Sequence, residues 1–346
     1  MADDNSLLGM LEGSGLQVRA YDLGRRIARL DPVRLRAFEQ AREPYPTPMQ
    51  HKAWLALAHT SDATPDQPVI WFLRLDLDEQ GLLVQAGRDY LLRRLLESAQ
   101  ARSTGADPQA FLQDNPYAFK PREDRMALFH ALLSVELGLP ASRFYAHALD
   151  YFSGGPGWDQ WGFVGYQGIA DVACRHHDKP LTAALPRLPR EPLIALCHCL
   201  ESQPLGEPLS EALANRLRRA LADEPADTPL IAALVRGLSF GREPVARGAA
   251  VDAVLGHPAA VDIEVLAAIA GRAWETLLDA DRLRRFVDRL AANGRGQTAF
   301  EHGIRDLLSL PELAVPLRDM LRGARIGSAA REAFARMVSS ADAVPE

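Results

Sequence analysis

Cysteine is sparse in this sequence, lysine is nearly missing, and there is no long apolar run. Three cysteines among 346 residues exclude a disulfide framework and fit a reducing compartment. No stretch approaches the roughly 18 apolar residues of a membrane-spanning helix. The opening segment, MADDNSLLGM, carries two aspartates where a secretory signal needs positive charge. Together these absences predict a cytoplasmic chain with no membrane span. Lysine occurs only at Lys52, Lys120 and Lys179, and arginine supplies the remaining basic residues, a skew expected of a GC-rich bacterial gene. The net charge of −6 makes nucleic acid an unfavoured partner and disfavours an anionic membrane.

Linear catalytic motifs are missing as well. There is no Gly-x-Ser-x-Gly, no His-Glu-x-x-His, no Gly-x-Gly-x-x-Gly after a strand and no Walker sequence. No catalytic residue, metal ligand or cofactor is therefore assigned, and the reading leans away from an enzyme.

What is present is an ordinary globular composition, 47% hydrophobic and 24% charged, with length for about two domains at ~150 residues each. The aromatic residues divide it unevenly: all seven tyrosines lie before residue 167, and the latter half is rich in alanine. Residues 17–23 alternate as a half-buried strand, and 25–30 pair with it as a hairpin. Asp31-Pro32 opens a helix running to about Arg42. Two strands follow, 51–60 and 69–76, separated by Ser61–Pro68, with Trp71, Leu73 and Leu75 on one face of the second. A helix over 85–102 closes an α+β N-terminal domain, residues 1–104, containing a small antiparallel sheet.

Beyond it the periodicity is helical, clearest at 125–137 and 142–152. Prolines 192, 208, 229, 244 and 258 recur at short intervals, the first four each followed by an apolar helical run. Proline at a first helical position lacks an N–H that would have been unpaired anyway, so it marks helix starts. This cadence predicts a mainly α-helical, HEAT/armadillo-like solenoid or helical array over 105–346, with an irregular bundle as the alternative.

The strings Tyr21-Asp-Leu-Gly-Arg-Arg26, Trp71 to Leu83, Arg88-Asp89 and Asn115-Pro-Tyr-Ala-Phe119, in this order and spacing, resemble a gammaproteobacterial domain-of-unknown-function family of about this length. The resemblance implies a bacterial, full-length member and brings with it no activity, cofactor or site residue.

Four constellations carry possible chemistry. Asp76-Leu-Asp-Glu-Gln-Gly81 begins like a calcium loop, but an EF-hand needs other residues where Gln80 and Gly87 stand. Cys174, His177, Cys197 and Cys199 have the ligand count of a zinc site. Cys197 and Cys199, however, fall on a predicted helix, where i and i+2 point about 200° apart, so core cysteines are the default. Residues 153–166 combine glycines with Trp158, Trp161, Phe163 and Tyr166. This is either a helix connection whose aromatics pack in the core or a partner-binding surface. Arg282, Arg285 and Arg289 form a stripe interleaved with Asp281 and Asp288, a solvated face by default and otherwise a docking surface.

The expected function is a non-enzymatic interaction or scaffold protein with a protein partner. A second reading is an enzyme or ligand binder with a pocket between the domains near Arg88, Asp89 and Tyr117. A third is RNA or ribosome association through the arginine stripe.

Overall fold

The computed structural model describes residues 6–102, 114–155, 157–175, 177–323 and 325–341. It divides into two compact units, one formed by residues 1–122 and 309–311 and the other by residues 123–308 and 312–346.

The first unit is the expected α+β domain. Helix α1 (Leu7–Gly13) starts at Ser6, whose hydroxyl accepts from the Gly9 amide. Strand β1 (Gln17–Asp22) pairs with the two-residue β2 (Ala28–Arg29). Helix α2 (Pro32–Glu39) is capped by Asp31, which accepts from the Val33 and Arg34 amides. Strands β3 (Lys52–Ser61) and β4 (Thr64–Asp76) form a long hairpin, and α3 (Gln85–Arg102) follows. All pairing is antiparallel, in the order β2-β1-β3-β4. Trp71, Leu73 and Leu75 share the buried face of β4 with Leu55 and Leu57 of β3. That face meets Leu7, Leu8 and Leu11 of α1, Leu35 and Phe38 of α2, and Leu91, Leu92 and Leu95 of α3.

The hairpin corrects one expectation. Residues 64–68 are not a separating loop; β4 begins at Thr64, and Ser61 pairs with Thr64 after a register shift. Pro65 and Pro68 are tolerated because the register shift interrupts the ladder there, with no residue between Thr64 and Val69 paired to β3. Farther along, the free edge of β4 is covered: the Arg74 amide donates to the Tyr117 carbonyl (2.7 Å) and the Phe119 amide to the Phe72 carbonyl (3.1 Å).

The second unit is a helical array of thirteen described helices. In order they are α4 (Glu123–Glu136), α5 (Tyr145–Phe152), α6 (Tyr166–Cys174), α7 (Asp178–Ala184), α8 (Arg190–Leu200), α9 (Glu207–Ala222) and α10 (Thr228–Leu238). Then come α11 (Pro244–Gly256), α12 (Ile263–Arg272), α13 (Ala280–Ala291), α14 (Gln297–Leu308), α15 (Pro311–Arg322) and α16 (Ser328–Ala341). Pro208, Pro229 and Pro244 stand in the first turns of α9, α10 and α11 as expected. Pro258 opens a short 3-10 turn, Pro258–Val261, in place of an α-helix.

Alternate helices stack. α4, α6, α8, α10 and α12 pack in succession as one layer, and α5, α7, α9, α11 and α13 as another. Small residues permit close approach. A Cβ on Gly168 of α6 would lie 2.5 Å from the Phe144 carbonyl oxygen, so any larger residue there forces α6 off the start of α5. Among the described residues no helix is long and apolar enough to cross a membrane.

Candidate functional site

The most concentrated charge chemistry is at a place the sequence does not announce. The apolar run of α8 ends at Leu200, and the connection Glu201-Ser202-Gln203 turns into the interior, all three residues buried. Glu201 is 0% exposed. Its Oε2 accepts from Arg236 Nε of α10 (2.6 Å), and Oε1 accepts from Arg125 of α4 and lies 2.9 Å from Arg272 Nε of α12. The Ser239 hydroxyl donates to the Glu201 carbonyl (3.3 Å), and the Gln203 amide donates to Cys174 Sγ (3.3 Å).

Burial alone would raise the Glu201 carboxyl, but Arg272, Arg236 and Arg125 outweigh it and hold the group well below the usual carboxylate range. Burial also pulls the Arg272 guanidinium down to about 10, against the pull of Glu201. Arg236 and Arg272 lie in the last turns of α10 and α12, where the exposed carbonyl dipoles favour cations. The cluster is therefore a charge clamp that fastens the ends of three stacked helices to the start of α4.

The opposite ends of α8, α10 and α12 carry a second, simpler ladder. Arg190 pairs with Asp227, which caps α10 through the Leu230 amide, and the Thr228 hydroxyl donates to Asp262, which caps α12.

The thiols follow the default reading. Cys197 faces α10, where a Cβ on Gly237 would come within 3.1 Å of its Sγ, whereas Cys199 senses Cys174. Burial pushes Cys174 and Cys197 up to about 12 and Cys199 well above its ordinary value. A thiol held protonated is a poor nucleophile. His177 instead bonds through Nε2 to the Tyr145 hydroxyl. Among the described residues no three His, Cys, Asp or Glu side chains are grouped to hold a metal ion.

The aromatic segment forms a 3-10 turn, Trp158–Phe163. Trp158 and Trp161 are half-buried against Tyr151, with ring centroids 5.4 and 6.0 Å away, and the Tyr151 hydroxyl donates to the Trp158 carbonyl (3.0 Å). Phe163 departs from the expectation of core packing: it is 75% exposed. Two residues on, Gly165 abuts the ring of Phe144, itself 42% exposed and overlaid by the Arg143 guanidinium at 4.8 Å. Tyr166 is half-buried at the start of α6.

The arginine stripe is engaged within the fold. Arg282 and Arg285 of α13 both pair with Asp252 of α11, and Arg289 donates to the Leu255 carbonyl (2.9 Å). Intrahelical pairs join Arg284 and Arg285 to Asp281. In the first unit, Arg88 pairs with the exposed Asp89 (2.8 Å) and donates to the Glu39 carbonyl (3.3 Å), while Tyr117 packs against Gly87 and Tyr90.

A family model described as "Protein of unknown function (DUF3549)" matches residues 4–338. The chain belongs to this family. The match spans both units, so the DUF3549 family is defined by the sheet unit and the helical array together. No curated protein and no solved structure matches the chain.

The Glu201 clamp did leave a trace in the sequence. Glu201, Arg236 and Arg272 each stand at the end of an apolar helical run, at nearly equal intervals and with complementary sign. That pattern was available to a search for charged residues at the helix-pair period.

Proposed function

We propose that this DUF3549 member is a non-enzymatic interaction or adaptor protein of the bacterial cytoplasm, and that its helical unit is a HEAT-like array presenting an aromatic surface to a different protein. The repeat reading is supported by helix starts. α8, α10, α12 and α14 begin at 190, 228, 263 and 297, and α9, α11, α13 and α15 at 207, 244, 280 and 311. These intervals are those of a helix-pair repeat. The three free, buried thiols fit a reducing compartment.

The observation that carries the interaction reading is Phe163. Leaving a phenylalanine ring in water forgoes about 1.5–3 kcal/mol that burial would supply, and here the exposed ring stands on a turn fixed by Trp158, Trp161 and Tyr151. Rigid aromatic anchors of this kind are typical of interface hot spots. The contact surface is this turn, since α10, central in its layer, has most of its residues buried on every side.

A photo-crosslinking phenylalanine analogue at position 163, expressed in the native host, tests the reading. The expected result is one dominant adduct with a second protein that co-elutes with the unlabelled chain. Phe163→Asp should abolish that complex, and Val245→Asp, at an 84% exposed position on α11, should not. No specific adduct, a complex indifferent to Phe163→Asp, or an adduct with a second copy of this chain would each overturn it.

A further inference from the structure

The turn that carries Phe163 lies in the longest interval of the chain without a lysine or arginine, between Arg143 and Arg175. Two exposed acids stand in that interval, Asp150 near the end of α5 and Asp159 in the 3-10 turn. Both carboxylates fold against the glycines that join these elements. A Cβ on Gly155 would collide with the Asp150 carboxylate, and one on Gly157 would come within 2.9 Å of Asp159 Oδ1. The two acids therefore converge on the same short connection. Trp158 stands there too, with a ring carbon 3.9 Å from where a Cβ on Gly154 would be. Asp159 accepts from the side-chain amide of its neighbour Gln160 (2.8 Å), and among the described residues neither acid has an ion-pair partner.

Elsewhere in the chain, partly exposed rings carry a guanidinium of the chain's own. Arg74 lies over Trp54 at 5.4 Å, Arg93 over Tyr90 at 5.6 Å, Arg143 over Phe144 at 4.8 Å and Arg175 over Tyr145 at 5.8 Å. The ring quadrupole attracts a cation placed over its face. Trp158 and Trp161, both half-buried, and the exposed Phe163 have no such cation among the described residues. The turn thus presents rings and carboxylates together and lacks the charge that would complement both.

We propose that this turn receives a basic segment of the partner protein, whose cation pairs with Asp150 and Asp159 and lies against Trp158 or Trp161 while an apolar neighbour covers Phe163. This rests on the reading of the turn as a protein contact and adds the chemistry of what it contacts. Arginine suits the site better than lysine. Its planar guanidinium is weakly hydrated, bonds a carboxylate along one edge and stacks on an aromatic ring through its face. The complementarity also sets the sign of the encounter, since an acidic segment would be repelled by both aspartates.

Fluorescence anisotropy of the full chain with short labelled peptides, in which leucine alternates with arginine or with glutamate, tests the charge preference. The arginine peptide should bind and weaken as salt is raised, and the glutamate peptide should not bind. Asp150→Asn with Asp159→Asn should weaken the arginine peptide by roughly three- to tenfold. Glu207→Gln with Glu211→Gln, the same change of charge at exposed positions on α9, should leave it unchanged. No binding of the arginine peptide, equal binding of the two peptides, or equal loss in both double variants would overturn the proposal. Crosslinking from position 163 in the native host separates it from the broader reading. There the wild-type adduct should be lost in the Asp150→Asn, Asp159→Asn chain. An adduct that persists undiminished keeps the protein contact and removes the basic partner, whereas no adduct from the wild type removes both.

Discussion

Glu39 in the sheet unit and Glu201 in the helical unit are both buried carboxyl groups, and their surroundings drive them in opposite directions. Glu39 is buried with one carboxyl oxygen left without a partner, and its affinity for the proton rises. Glu201 is met by three guanidiniums, and its affinity falls. Burial acts on both alike; what decides the sign is whether full opposite charges are in contact. The cores show a parallel contrast. The sheet unit buries large rings, with Tyr21, Phe38, Tyr45 and Trp71 almost wholly enclosed. The array also encloses rings, Phe129, Tyr151, Phe152, Phe286 and Phe300, but spreads them among many leucines and alanines, with glycine where helices touch.

The largest expected effect tests the clamp. Glu201→Gln leaves three mutually repelling guanidiniums around a neutral amide and should destabilise the helical unit by about 3–5 kcal/mol. All three cysteines lie buried in that unit, so the rate of thiol labelling under mild urea reads its opening without a signal from the sheet unit. Labelling as slow as in the wild type would show that the clamp is dispensable. Acid should produce a related effect. The contribution of Glu201 is present above its unfolded value near 4.5 and is lost as pH falls below that, so wild-type thiols should become accessible at low pH.

Glu39 predicts the reverse trend. The sheet unit should be on the order of 3 kcal/mol more stable near pH 5 than well above pH 7, and Glu39→Gln should remove that slope. Urea unfolding followed by near-ultraviolet circular dichroism at several pH values gives both numbers. Equal slopes in wild type and variant would erase the contrast between the two acids.

Smaller effects probe the packing contrast. Gly168→Ala places a methyl group against the Phe144 main chain and should cost about 1–3 kcal/mol, again visible as faster thiol labelling. Gly271→Ala, on α12 with nothing near its Cβ position, should leave packing intact and raise stability by about 0.5–1 kcal/mol through helix propensity. If both alanines had the same sign, close approach would not be what glycine supplies to this array.

Much of this architecture was legible because its signals are local. Asp31-Pro32 specifies the start of α2 in two residues, and the prolines of α9, α10 and α11 do the same for theirs. Leu283, Phe286, Val287 and Leu290 recur at helical spacing and all four are buried on α13. What was not legible depends on neighbours distant in sequence. Pro65 and Pro68 look like strand breakers until the register shift between β3 and β4 is known. Phe163 looks like core until its turn is built on Tyr151 without enclosing it. Arg282, Arg285 and Arg289 read as a solvated stripe because Asp252, which binds two of them, lies one helix pair earlier. Glu201 demanded four helices at once.

The cover on the outer edge of β4 has a consequence for synthesis. Tyr117 and Phe119, which close that edge, are translated about forty residues after β4 itself, an interval of roughly 2–9 seconds at 5–20 residues per second. Through that interval a nascent chain exposes an unpaired strand, and translation speed over this stretch sets how long it must go unguarded.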